Sequence, residues 1–359
     1  MLSKYRVGIP SIPNQKQYLK YVKKILGSRI LTNNGPFLNK FEIEIKKRLK
    51  VKNVIFCTNA TIALQIALKV LNSKNVLTTP FTYIATINAI RWIRLNIFFS
   101  DISKETLNLD PKKINQKLLN KVDTILPVNS FGNFSDFDFF EKIRKKRKCK
   151  IIYDSSHCFE IKRNKKSILK YGDANIVSFH ATKIFNTCEG GMIIFRKKKD
   201  YLKAKKMIQN SIENGNIDKK IIGTNAKMSE LHAAWGLTLL ERLNQVISKK
   251  SKLFKAYKNE LMRKVIIPLN NLAENNFGYM PIIFKSERKL KEINNELIKN
   301  NIICRRYFFP SLDKIIKSKN NVKLTVANNI AKRILCLPIN ENMKIFEAKK
   351  ISKIILKSI

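Results

Sequence analysis

Lys183 sits in the run SFHATKIFNT, a few residues after the apolar stretch NIVSF. A lysine in a lysine-rich chain is ordinarily a solvated surface residue. Its neighbours here, Phe179, His180, Thr182, Ile184 and Phe185, are not typical of such a surface. An amine held among apolar groups loses its proton more easily, and the neutral form can make a Schiff base with a carbonyl. Asp154 closes the apolar run IIYD. Open α/β sheets gather ligand-binding groups at such strand ends, although taken alone the residue reads more simply as a helix N-cap. Glu189-Gly190-Gly191 precedes another apolar run, MIIF. Two glycines there let backbone pass close to a ligand, or form an ordinary turn. Thr58-Asn59-Ala60-Thr61 joins a strand-like to a helix-like segment. Helix-start N–H groups with a Thr hydroxyl suit a phosphate, and they equally suit a plain capping turn.

The elements that must position these residues alternate along the chain. Apolar runs at 54–57, 76–80, 96–101, 124–128, 151–154, 175–179 and 191–195 read as strands. Amphipathic stretches at 61–71, 86–93, 111–120 and 135–147 read as helices between them. This rhythm predicts an α/β fold with a mainly parallel sheet and helices on both faces. After about residue 223 the pattern changes. Ser229 to about Leu261 reads as one long helix linking two lobes. YMPIIF (279–284), a helix at 287–300, IICRRYF (302–308) and two more helices suggest a smaller α+β lobe. The expected division is 1–245, an N-terminal segment with the large domain, and 246–359, a small C-terminal domain.

Composition narrows the function classes. With 44% hydrophobic residues in 359, the chain can fill a large core. No apolar run approaches the roughly 20 residues that span a bilayer, and the first residues lack an apolar signal core. A cytoplasmic protein away from membranes is the expectation. None of the six cysteines forms a CxxC pair, so free thiols are expected. Three histidines without an HExxH motif or a Cys/His cluster give no reason to expect a metal. The formal net charge is +45. Nucleic-acid binding would need the basic residues gathered on one face with a matching motif. Here lysine is spread throughout, with Ile and Asn also abundant, which fits A/T-rich codons. The densest run, KIRKKRKCK (142–150), falls where a helix should end before KIIYD, beside its negative dipole. No nucleic-acid partner is expected, but the overall field should attract anionic substrates.

The order and spacing of these motifs make the chain resemble the DegT/DnrJ/StrS family of sugar aminotransferases, which have the pyridoxal 5'-phosphate (PLP) fold type I architecture. The likeness runs through SRILTNNGPFLNKFE (28–42), CTNATIALQIAL (57–68), TTPFTYIATINAI (78–90), FSDISKETLNLDPKKI (99–114), LPVNSFGN (126–133) and IIYDSSHCFE (151–160). It continues in SFHATKIFNTCEGGMI (178–193), TNAKMSELHAAWGL (224–237), NIICRRYFFP (301–310) and LCLPI (335–339). Within the family, SFHATK, EGG, the Asp-x-x-His strand end and RRYFFP are most similar to the branch making dTDP-4-amino-4,6-dideoxyglucose.

The resemblance implies roles. Lys183 matches the lysine that holds PLP covalently and then carries the proton between the donor's α-carbon and the cofactor's C4′. Asp154 matches the carboxylate paired with the pyridine nitrogen. His157 stands where many relatives have Gln, beside the cofactor's phenolic oxygen; it also reads as a packed helix-start histidine. Tyr83 matches the aromatic stacked on the cofactor ring, with a core aromatic as the plainer reading. Ala60, Thr61 and Ser178 match phosphate contacts. Asn225 matches a phosphate ligand reaching in from a partner subunit, which implies a homodimer with shared active sites. Arg305 or Arg306 would contact a substrate carboxylate or diphosphate, unless both are structural.

The implied reaction takes nitrogen from an amino acid, L-glutamate, and passes it to a 4-keto-6-deoxyhexose on dTDP or UDP, for surface-polysaccharide assembly. Amination at C3 and a catalytically inactive scaffold stay open alternatives. The chain departs from the family in Ala60 where many relatives have Gly, in Ser155-Ser156 for two alanines, and in Cys188. None of these removes a catalytic group. Lys183 argues against the dehydratases that carry His at that position.

Overall fold

The computed structural model describes residues 3–213, 215–269 and 274–359. At its centre is a seven-stranded sheet of β1 (Val54–Cys57), β2 (Asn75–Thr78), β3 (Asn96–Phe99), β4 (Thr124–Ile125), β5 (Lys150–Asp154), β6 (Ala174–Ser178) and β7 (Gly191–Phe195). Their order across the sheet is β3-β2-β4-β5-β6-β7-β1. β2 pairs in parallel with β3 and β4, β4 with β5, and β5 with β6. β7 runs antiparallel to both of its neighbours. The mainly parallel α/β sheet expected from the sequence is therefore present, with one reversed strand.

The strands read as unbroken apolar runs because both faces of the sheet are covered. Phe56, Ile151 and Val177 point into one core with helices α1 (Gln15–Ser28) and α2 (Pro36–Leu49) on that side. Their chain neighbours Ile55, Ile152 and Ile176 point into the other core, under α3 (Ala60–Val70) and α4 (Ile84–Trp92). The helix α5 (Phe137–Arg147) buries Phe137 and Phe140 and ends on four basic residues. The basic run 142–150 is thus a helix end, with Arg144 paired to Glu141 and Asp173.

One 32-residue helix, α6 (Glu230–Leu261), joins two hydrophobic cores. Leu237 and Leu243 pack into the sheet's core, and Leu253, Phe254 and Tyr257 into a second. Residue 246, the expected start of the small lobe, lies inside this helix. The second core is built around the antiparallel pair β8 (Met280–Ile283) and β9 (Ile334–Leu337), with α7 (Glu287–Lys299) and α8 (Ile345–Lys357). Tyr5–Arg6 pairs in parallel with Ile302–Ile303, so the first residues of the chain also touch this region.

Some expected elements are shorter. The stretch 111–120 is a 3-10 turn at Pro111–Lys113 and a single helical turn at Gln116–Leu119. Asn115 breaks it, because its side chain accepts from Leu118 N–H and starts the helix afresh. In 302–308 only two residues form a strand.

Lys250 is an unusual member of the second core. It is 3% exposed and has no hydrogen-bond acceptor among the described residues. Burial pushes its ammonium down from 10.5 to about 8, against a smaller upward pull from Glu341. The unfolded chain holds this proton more tightly, so its burial costs stability below pH 8. That cost fades as pH rises from about 8 to about 10.5. Lys250→Met should therefore raise stability at pH 7 by roughly 1–3 kcal/mol. Denaturant titrations at pH 7 and pH 10 check this, since the gain should shrink at the higher pH.

Candidate active site

A cavity of about 430 Å³ opens at the C-terminal edge of the parallel strands. β5 delivers Asp154, β6 delivers Ser178, the turn between β1 and α3 delivers Asn59, and the first turn of α3 delivers Ala60 and Thr61. Tyr83 stands at the start of α4, exposed on the cavity wall. Its plainer reading as a core aromatic does not hold. His157 and Lys183 complete the floor. Of the eight residues that the resemblance matched to cofactor contacts, seven thus share one space. Asn225 does not: it is exposed, outside the cavity, with Lys227 Nζ donating to its side chain at 2.7 Å.

Gly191 shapes the corner of the cavity at the start of α3. β7 lies beside β1, with Gly191 opposite Cys57. A Cβ on Gly191 would lie 2.4 Å from the Asn59 carbonyl carbon and 2.6 Å from Ala60 N. Only glycine lets these backbones meet. Asn59 caps α3 by accepting from Ile62 N–H at 2.9 Å. The N–H groups of Ala60 and Thr61 then have no acceptor among the described residues, and they aim at the cavity from a helix N-terminus. Thr58 Oγ1 is also buried and unpartnered.

Asp154 is 5% exposed. Its Oδ1 accepts from Ser156 Oγ at 2.6 Å and from Ser156 N at 3.1 Å. Oδ2 accepts from Thr86 Oγ1 at 2.7 Å, and Thr82 in turn bonds Thr86 at 2.9 Å. These three donors leave lone pairs on the carboxylate for a further N–H in the cavity. Thr82 and Thr86 went unread in the sequence; Thr86 lies in the first turn of α4 and meets Asp154, and Thr82, just before the helix, reaches it only through Thr86.

Lys183 Nζ donates to Tyr279 Oη at 3.1 Å. Burial pulls its ammonium down to about 8, opposed by the negative charge of Asp154 and then by Cys158. A readily deprotonated lysine is what Schiff-base chemistry needs. His157 Nδ1 accepts from Phe131 N–H at 3.0 Å, which assigns the proton of the neutral ring to Nε2. Burial, helped by Lys183, holds this imidazole neutral well below its usual range. His157 is thus a packed ring, 4.2 Å from the Tyr279 ring, and also a cavity residue.

The two arginines separate. Arg305 lines the cavity. Arg306 turns away, donating to Glu287 and the Lys332 carbonyl and lying 3.6 Å from the Phe309 ring. Among the described residues no group of His, Cys, Asp and Glu could hold a metal ion. No helix there is long and apolar enough to cross a membrane, and all six cysteines are free.

The chain is similar to known proteins over most of its length. The DegT/DnrJ/EryC1/StrS aminotransferase family matches residues 13–356. The chain belongs to this family. Two family enzymes, the dTDP-4-amino-4,6-dideoxy-D-glucose transaminases of Shigella dysenteriae and Escherichia coli, are 33% and 32% identical to it. The alignments cover 93% and 97% of this chain and 93% and 96% of those enzymes. The fold is shared with a crystal structure of DesI solved with its TDP-sugar product, at 24% identity and a TM-score of 0.92. That match covers 100% of this chain and 94% of the other. This aminotransferase holds a lysine, Lys183, and a buried carboxylate, Asp154, in one cavity.

Proposed function

We propose that this aminotransferase uses PLP to move an amino group from L-glutamate to C4 of a 4-keto-6-deoxyhexose carried on dTDP. The observation that carries the reading is the single cavity holding Lys183, Asp154 and the free N–H groups of Ala60 and Thr61. The carrier and carbon follow from the similarity to the Shigella and Escherichia transaminases.

The residues present fit PLP. Two unsatisfied helix-start amides, with the Thr61 and Ser178 hydroxyls, suit its phosphate. Asp154 suits a protonated ring nitrogen. His157 can donate from Nε2 to the phenolic oxygen, and exposed Tyr83 can lie on the ring. When bound, the cofactor supplies an electron-poor ring that accepts the electron pair left by loss of the donor's α-proton. Lys183 Nζ anchors it, then takes up and returns that proton. Asp154 holds the proton on the ring nitrogen. Arg305 offers a cation to the donor carboxylate or the sugar diphosphate.

Asn225 lies outside its own cavity and is exposed, which suits contact with a partner's phosphate site in a homodimer. Ile217 and Ile222 nearby in the chain are large apolar residues left at 69% and 80% exposure. Burying such residues against a second copy would favour association. We place the enzyme in the cytoplasm, with its substrates.

The test is a reaction with ¹⁵N-labelled L-glutamate and dTDP-4-keto-6-deoxyglucose. Label at C4 of the sugar, read by NMR, supports the reading. Label only in a parallel reaction with the 3-keto isomer of the sugar nucleotide would correct the regiochemistry, and no transfer from any amino donor to either sugar would overturn the reading.

A further inference from the structure

Tyr279 comes from the C-terminal half of the chain, 96 residues beyond Lys183, and lies 6% exposed on the cavity wall. Its place is fixed by a local framework. Asn276 Nδ2 donates to the carbonyls of His157 and Phe159, at 3.0 and 2.8 Å, while its Oδ1 accepts from Gly278 N–H at 3.0 Å. The backbone just before Tyr279 is thereby fastened to the loop that carries His157. The Tyr279 ring packs on His157 and stands edge-on to Phe131 and Tyr307. Its hydroxyl is the sole hydrogen-bond acceptor of Lys183 Nζ among the described residues. A second, very small cavity behind the ring is lined by Lys250, Tyr307 and Thr182.

A lysine released from a covalent bond is a long chain with four rotatable bonds, and free rotation would carry its amine away from the reacting atoms. We propose that Tyr279 is a positioning residue that parks the free amine of Lys183 in the cavity whenever it is not bonded to the cofactor. The phenol oxygen accepts from the amine and keeps Nζ where it must pick up and deliver a proton. The inference rests on the reading of Lys183 as the cofactor anchor.

The experiment uses Tyr279→Phe, which keeps the ring contacts with His157 and removes only the hydroxyl. In cofactor-free protein, acetylation of Lys183 by acetic anhydride is followed against pH by peptide mass spectrometry. The titratable groups acting on Nζ are Asp154 and the Cys158 thiol, which burial pushes up, with neutral His157 beside them. All three stay in place. Loss of the acceptor disfavours the ammonium, so the acetylation midpoint should fall by about one pH unit. In the loaded enzyme kcat should fall about tenfold, with both Michaelis constants within about twofold. An unmoved midpoint together with unchanged kcat would overturn the proposal. If the variant does not fold, wild-type chain carrying 2,3-difluorotyrosine, a weaker acceptor, should move the midpoint in the same direction, and no movement would equally overturn it. The acetylation readout needs no cofactor. Failure of Lys183 as the anchor would instead appear as cofactor trapped on another lysine.

Discussion

Asp154→Asn should lower kcat by on the order of 10³-fold while leaving the protein folded. The side chain is buried and held by Thr86 and by both the amide and hydroxyl of Ser156. Asparagine keeps its shape and can keep most of those contacts. The Thr86 hydroxyl can turn to accept from the new amide, because Thr82 offers it an alternative partner at 2.9 Å. What is lost is the negative charge in a low-dielectric site, where its effect on a neighbouring cationic N–H is largest. Without it the ring nitrogen loses its proton and the ring its electron-withdrawing power. The loss should fall on kcat, with a melting temperature close to that of the wild type. Steady-state kinetics beside thermal melts separate the two. A variant within about tenfold of wild-type kcat would remove Asp154 from the account.

Lys183→Ala should abolish turnover, by about 10⁴-fold or more, because one side chain both anchors the cofactor and moves the proton. Part of the loss should be restored by added methylamine, which can enter the space the side chain vacates and act as an external base. The loss should come without destabilisation at neutral pH. Burial holds the Lys183 ammonium at about 8, below its unfolded value of 10.5, so in cofactor-free protein the charged form disfavours folding below pH 8. That penalty is relieved between about pH 8 and pH 10.5 as the amine becomes neutral. Lys183→Ala should accordingly be as stable as the wild type or more so at pH 7, with the difference narrowing toward pH 10. Denaturant titrations of the cofactor-free proteins at the two pH values check this. An inactive but unfolded variant would say nothing of catalysis, which is why the melts accompany the assay.

How much of this was legible in the sequence depended on distance along the chain. IIYD and GMIIF read as strands because both faces of the sheet are buried, leaving apolar runs with no alternation to confuse them. Asp154 and Gly191 could be singled out because a strand end and a pair of glycines are local features. The helix α2 carries a buried stripe of Leu38, Phe41, Ile45 and Leu49 that the sequence showed but that lay unread among lysines. α1 buries only Ile25, so its pattern is weak. The stretch 111–120 failed as one helix because Asn115 competes for backbone N–H groups. Tyr279 was not legible as a site residue. It follows Phe277 and Gly278 at the start of an ordinary apolar strand, and only tertiary packing brings its hydroxyl to Lys183. Arg305 and Arg306 are adjacent and chemically alike, and what separates them is Glu287, at the start of α7, which pairs with Arg306 and not with Arg305.

The most direct measurement is to load the purified protein with PLP, reduce it with sodium borohydride, digest it and weigh the peptides. The expected result is a cofactor adduct on the peptide containing Lys183 in the wild type, and no adduct at that peptide in Lys183→Ala. An adduct on a different lysine, or none at all under saturating cofactor, would contradict the assignment of this cavity as the catalytic centre.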